Sequence, residues 1–137
     1  MRKINGALIQ IAKKYDLKLI YAFGSRSREA LRVVTGKQQR LLSAMSDLDL
    51  AVKSGRTLSL NDKIEITGAF EELFSVLRVD LVILQEARAF LALEIIKGEL
   101  LYAENPLMEA EYQLYVMRRA AELIPYERMK QQMIFGE

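Results

Sequence analysis

The chain has 137 residues, enough for one domain with a core of its own and hardly enough for two. Its composition, 51% hydrophobic and 28% charged, is ordinary for a globular protein, and a formal net charge of +2 is too small to argue nucleic-acid binding by itself. The absence of cysteine and histidine removes disulfides, thiolate nucleophiles, Cys/His zinc sites and His-based triads together, so acid–base or metal chemistry falls to carboxylates, Lys, Tyr or Ser. Oxygen ligands favour hard cations such as magnesium. No stretch is apolar for long enough to span a bilayer. The start, Met1-Arg2-Lys3-Ile4-Asn5-Gly6 followed by Lys13, Lys14 and Asp16, is not a signal peptide with a clean apolar core, and the expected location is cytoplasmic.

Ile4, Leu8, Ile11 and Tyr15 recur at helical spacing and predict an amphipathic helix over 3–15. Leu17 to Phe23 reads as a buried strand broken by Gly24, after which Ser25 is expected to cap a helix through Arg28, Ala30, Leu31 and Val34, ending near Gly36. Residues 36–46 read as a loop or short helix, and 47–53 as a second strand ended by Ser54-Gly55. Asn61 or Asp62 is expected to start a helix through Ile64, Ala69, Phe70, Leu73 and Phe74. A third strand covers 79–84, a helix 86–97, and a short edge strand Glu99-Leu100-Leu101-Tyr102. Pro106 suits the first turn of a last long helix through Met108, Tyr112, Tyr115, Met117 and Ala120, which Pro125 should end or kink, leaving a mobile tail over 126–137. The alternation predicts one α/β (α+β) domain over 1–137, a small three- to four-stranded mixed sheet with about five helices, whose C-terminal part, about 106–137, packs on the domain or on a partner.

Charged residues are costly in strands that otherwise read as core. Asp47 and Asp49, two apart, point the same way as Ala51, while Leu48, Leu50 and Val52 point the other way. Asp80 shares a face with Val82 and Leu84. If the two strands are neighbours, the three aspartates converge at one edge of the sheet. Clustered carboxylates repel unless a cation neutralises them, and two metal ions about 4 Å apart would do so while holding a nucleoside triphosphate. Asp80 has the plainer reading of a strand-entry residue paired with Arg78 or a lysine. Between residues 26 and 40 lie Arg26, Arg28, Arg32, Lys37 and Arg40 against Glu29 alone, either a solvated helix face or a phosphate-facing patch.

Other motifs fail. Before Gly36-Lys37 a P-loop would need glycine at position 31, where Leu31 stands, and Ser or Thr in place of Gln38. Ala51 and Val52 occupy positions where an EF-hand needs an acidic residue and a glycine. In a haloacid-dehalogenase phosphatase the aspartates follow a strand, whereas here they lead into one after Ser43-Ala44-Met45-Ser46.

Taken in order, Ala22-Phe23-Gly24-Ser25-Arg26-Ser27-Arg28, Ser46-Asp47-Leu48-Asp49-Leu50-Ala51-Val52 and Val79-Asp80-Leu81-Val82 resemble the signature of the DNA polymerase β-type nucleotidyltransferase superfamily, in particular its small MNT-type members, over about residues 17–103. The resemblance implies Asp47, Asp49 and Asp80 as catalytic and metal-binding residues, with Asp80 also able to accept the proton of the attacking hydroxyl. It implies Gly24, Ser25, Arg26 and Arg28 as nucleotide contacts, and Mg2+ (two ions) with ATP or another nucleoside triphosphate as the cofactor and substrate. Small MNT proteins often pair with a HEPN-domain toxin, and some transfer AMP to a tyrosine of that toxin. The implied function is therefore magnesium-dependent transfer of AMP to a HEPN-type partner. A non-catalytic antitoxin of the same fold and a small-molecule, antibiotic-type nucleotidyltransferase are the alternatives. Nothing resembles a nucleic-acid-gripping domain. Leu114, Tyr115, Met117, Met129 and Met133 form either a partner contact or, as helical apolar stripes usually do, part of the core. The chain departs from the superfamily pattern twice. Twenty-one residues, 26 to 46, separate Ser25 from Asp47 where about ten are usual, and Glu29 replaces the glycine after the second arginine, either altering the turn or placing a negative charge near the phosphates.

Overall fold

The computed structural model of the chain describes residues 2–42 and 47–135, so that Ser46 and the end of the 36–46 segment lie outside the described residues. The elements run α1 Arg2–Lys14, β1 Leu17–Phe23, α2 Ser27–Val34, β2 Leu48–Ser54, α3 Leu60–Phe74, β3 Val79–Ile83, α4 Ala89–Ile96, β4 Glu99–Ala103 and α5 Pro106–Phe135. Short 3-10 turns, Gly24–Arg26 and Leu84–Glu86, lead out of β1 and β3. The strands form one mixed sheet in the order β3-β2-β1-β4. β1 lies antiparallel to both β2 and β4, and β2 runs parallel to β3.

Alternation along the two central strands divides the core into two layers. Leu17, Ile20 and Ala22 of β1 and Leu48, Leu50 and Val52 of β2 face a layer filled by Leu8 and Ala12 of α1, Ala30 and Val33 of α2, and Ile66, Phe70 and Phe74 of α3. Each helix contributes residues three or four apart, the spacing that sets side chains on one face. Leu19, Tyr21 and Ala51 face the opposite layer, closed by Ala92 and Ile95 of α4 and Tyr112 and Val116 of α5. The Tyr21 hydroxyl donates to Glu109 at 2.6 Å, fastening the first turns of α5 to the sheet. Burial, with that acceptor beside it, pushes the Tyr21 hydroxyl's pKa well above the usual tyrosine value.

Four expectations are corrected. Ser25 does not cap a helix: the Gly24–Arg26 turn intervenes, α2 starts at Ser27, and no side chain caps it. The cap of α3 is Ser59 rather than Asn61 or Asp62. Its hydroxyl accepts from the Asp62 N–H while the Asp62 carboxylate accepts from the Ser59 N–H, a reciprocal capping box. The residues after β3 form a 3-10 turn before α4 begins at Ala89. Of the two outcomes expected at Pro125, the ending is overturned: α5 continues past it to Phe135, so the segment after it is helical. Residues 121–134 are exposed all round, so water can take the carbonyl that the proline ring leaves without a donor, and the surrounding run of Ala, Glu, Arg, Met, Lys and Gln favours helix. The apolar residues of α5 divide accordingly. Tyr112, Val116 and Ala120 enter the core, whereas Leu114, Tyr115, Met117, Met129 and Met133 are exposed. Among the described residues no helix is long and apolar enough to cross a membrane.

Candidate active site

Antiparallel pairing of β1 with β2 brings the end of one strand beside the start of the other, with Phe23 opposite Asp49. Parallel pairing of β2 with β3 brings their starts together, with Asp49 opposite Asp80. Both pairings converge on one edge of the sheet, so the turn after β1 and the aspartates that open β2 and β3 meet there. Asp47 is exposed, while Asp49 and Asp80 are half-buried.

The turn is pressed onto the carboxylates. Gly24 has φ +75°, a left-handed conformation in which a side chain is strained. A Cβ there would also fall on Asp49 Oδ2. Glycine thus serves twice, by making the turn and by letting its backbone lie against the carboxylate. Gly24 and Ser25 are exposed at the mouth of the site.

The electrostatics are those of an acidic cluster. Burial raises the pKa of the Asp49 carboxyl above its ordinary value, and the charges of Asp80 and Asp47, with a side-chain hydrogen bond to Asp80, push it the same way. One cation already answers this: the Arg78 Nε stands 3.2 Å from Asp80 Oδ1 and 3.8 Å from Asp47 Oδ2. Among the described residues no group of three or more acidic side chains is closed around an ion-sized point. The donor set, three carboxylates of which one is exposed and two are half-buried, nonetheless suits a hard divalent cation. Of the partners expected for Asp80, Arg78 or a lysine, Arg78 is the one found; its reach to Asp47 depends on strand pairing, which residue spacing does not reveal.

The basic residues separate. Arg28, Arg32, Lys37 and Arg40 are exposed, but Arg26 is only 6% exposed. Its Nε donates to Glu29 Oε1 at 3.2 Å. The other Glu29 oxygen accepts the Leu42 backbone N–H at 2.8 Å and the Gln38 amide at 3.3 Å. These bonds, led by that from Leu42, hold the Glu29 carboxyl below the usual carboxylate range against the opposing effect of burial. The segment after α2 is thereby tied back, as far as Leu42, to the first turn of α2.

A second concavity of about 460 Å3 lies on the face covered by α4 and α5. Within it Lys53 stands 5.8 Å from the Tyr112 ring centre and Arg119 5.8 Å from that of Tyr115. Burial pushes the Tyr112 hydroxyl's pKa up to about 12, so it stays protonated at neutral pH.

Against known proteins, the profile of the family described as "Polymerase beta, Nucleotidyltransferase" matches residues 7–107. No curated protein matches the chain. Among solved structures, a toxin–antitoxin crystallised with AMP-PNP is similar at a TM-score of 0.70 and 19% identity, over 96% of this chain and 98% of that one. The toxin–antitoxin MntA–HepT is similar at 0.70 and 17%, over 98% and 99%. The tri-AMPylated Shewanella oneidensis HEPN toxin in complex with its MNT antitoxin gives 0.70 and 18%, over 98% of both chains. At these identities the likeness is one of fold.

Proposed function

The chain belongs to the polymerase β nucleotidyltransferase family, and from that premise we propose that it transfers AMP from ATP, with magnesium, to a tyrosine hydroxyl of a HEPN-type toxin partner. The observation that carries this reading is the meeting of Asp47, Asp49 and Asp80 at one sheet edge directly against the Gly24 turn. A neighbour of the same fold crystallised with AMP-PNP and another whose HEPN toxin is tri-AMPylated support the nucleotide and the acceptor.

In this reading Asp47, Asp49 and Asp80 would hold magnesium, which would supply charge neutralisation at the phosphates. Gly24 and Ser25 receive phosphate oxygens on backbone N–H groups and the Ser25 hydroxyl. Arg28, exposed one helical turn on, reaches the triphosphate from solvent. Arg26 is buried and held by Glu29, and lends its charge from within the protein. The acceptor oxygen attacks the α-phosphorus, the bond from that phosphorus to the bridging oxygen breaks, and pyrophosphate leaves. Asp80, half-buried at the edge, takes the hydroxyl proton. Positioning and charge stabilisation carry most of such a reaction. The far half of α5, exposed along Tyr126, Met129 and Met133, is the surface offered to the protein partner.

The test is transfer of label from α-labelled ATP to a co-expressed HEPN-type protein. The expected result is magnesium-dependent labelling lost in the Asp47→Asn/Asp49→Asn double variant. Equal, background labelling by the two proteins would overturn catalysis. Neutralisation of the toxin by the double variant as well as by the wild type would instead favour action by contact alone.

A further inference from the structure

The stretch between Ser25 and Asp47 is longer than in the superfamily pattern it resembles, and from Arg26 to Leu42 a single carboxylate ties it together. After α2 ends, Gly36 turns the chain with φ +82°. The segment then runs back along the helix. Gln38 Oε1 accepts from Arg32 Nε at 3.1 Å, its amide reaches Glu29, and the Leu42 N–H also lands on Glu29, in the first turn of α2. Leu41 is buried in the layer beneath, while Leu42 is 87% exposed. Glu29 binds both this returning segment and Arg26, the last residue of the Gly24–Arg26 turn. Its side chain is 16% exposed and that of Arg26 6%, so water competes weakly for these bonds. A glycine at this position could make none of them.

We propose that Glu29 is a positioning residue: its carboxylate clasps Arg26 and the returning 36–42 segment to the first turn of α2, and so presets the Gly24–Arg26 turn to receive a triphosphate. This rests on the nucleotidyl-transfer reading. Glu29, where the resemblance implies glycine, and the returning 36–42 segment are then two halves of one device, because the segment supplies Gln38 and Leu42 as partners for the carboxylate. Its charge faces Arg26 and the segment rather than the phosphates.

Trypsin and steady-state kinetics test it together, since Lys37 and Arg40 are exposed cleavage points within the clasped segment. In Glu29→Ala, cleavage there should quicken and the apparent KM for ATP with magnesium should rise, each about tenfold, with kcat changed by no more than about twofold. Glu29→Gln, whose amide oxygen still accepts from Leu42, should recover part of both effects, and Gln38→Ala should show a weaker form of each. A variant that melts earlier but keeps the wild-type KM would reduce Glu29 to a structural brace and overturn the proposal, as would unchanged cleavage. Nucleotide binding by the wild type, followed with AMP-PNP and magnesium, separates the two ideas. If the wild type binds none, the nucleotidyl-transfer reading fails, and the presetting with it. If the wild type and Glu29→Ala bind equally well, only the clasp fails.

Discussion

At Gly24 the backbone conformation and the site make one demand. An alanine must adopt a left-handed φ, at roughly 1–2 kcal/mol, and must also displace the Asp49 carboxylate. Gly24→Ala should therefore lower the melting temperature by several degrees and reduce transfer by more than tenfold, a larger loss than the stability change alone gives. Thermal melts read beside labelled-ATP assays check this, and a variant that melts like wild type would contradict the strain. Glu29 yields a prediction with a definite sign. Its folded pKa is depressed, so the stability it contributes is fully present above the unfolded value near 4.5 and is lost as pH falls through the lower folded value. The stability gap between wild type and Glu29→Gln, measured by urea unfolding, should be widest near neutrality and shrink below about pH 4.5. A gap constant down to acid pH would exclude the charge as its source. The three aspartates were legible in the sequence because carboxylates stand out in apolar strands. The role of Glu29 was not, because its partners Gln38 and Leu42 lie nine and thirteen residues on and meet it only after the chain doubles back.

At the scale of elements, strands and core helices follow their hydrophobic periods, while boundaries follow local hydrogen bonds that periodicity does not report. α3 is the clearest case, as its apolar residues locate the helix and Ser59 with Asp62 fixes where it begins. Ser59→Ala should cost about 1 kcal/mol, seen as a lower urea midpoint with an unchanged slope. α5 is the opposite case, since an interior proline either ends or kinks a helix and the sequence does not decide between them. Because residues 121–134 are exposed, their removal takes no side chain from the core. A chain ending at Ala121 should thus melt within about 2 °C of the full chain, since losses confined to exposed positions are small. If the far half of α5 meets the HEPN-type partner, the same truncation should abolish co-purification with it. A truncated chain that melts much earlier would show that the far half supports the fold itself.

The whole molecule concentrates charge unevenly. Its net charge is only +2, yet strand order gathers three carboxylates at one edge while four exposed basic residues lie between 28 and 40 beyond the turn. Folding therefore works against like-charge repulsion at that edge, and the pKa of the Asp49 carboxyl is raised first by burial and then by the charges of Asp80 and Asp47. Arg78 partly relieves it, from a position 69% exposed and hence easily vacated. A divalent cation bound by the same carboxylates would relieve it more fully, and the two cannot both sit close to Asp80 and Asp47 without repelling. Arg78→Ala should accordingly be less stable than wild type in EDTA, gain more melting temperature on adding magnesium, and bind Mn2+ more tightly, by about three- to tenfold for the loss of one neighbouring charge. Calorimetric titration with Mn2+ and paired melts with and without magnesium read these directly, neither requiring turnover. Weaker Mn2+ binding by the variant would instead make Arg78 a support for the metal site, one that orients Asp80 rather than standing in for the ion.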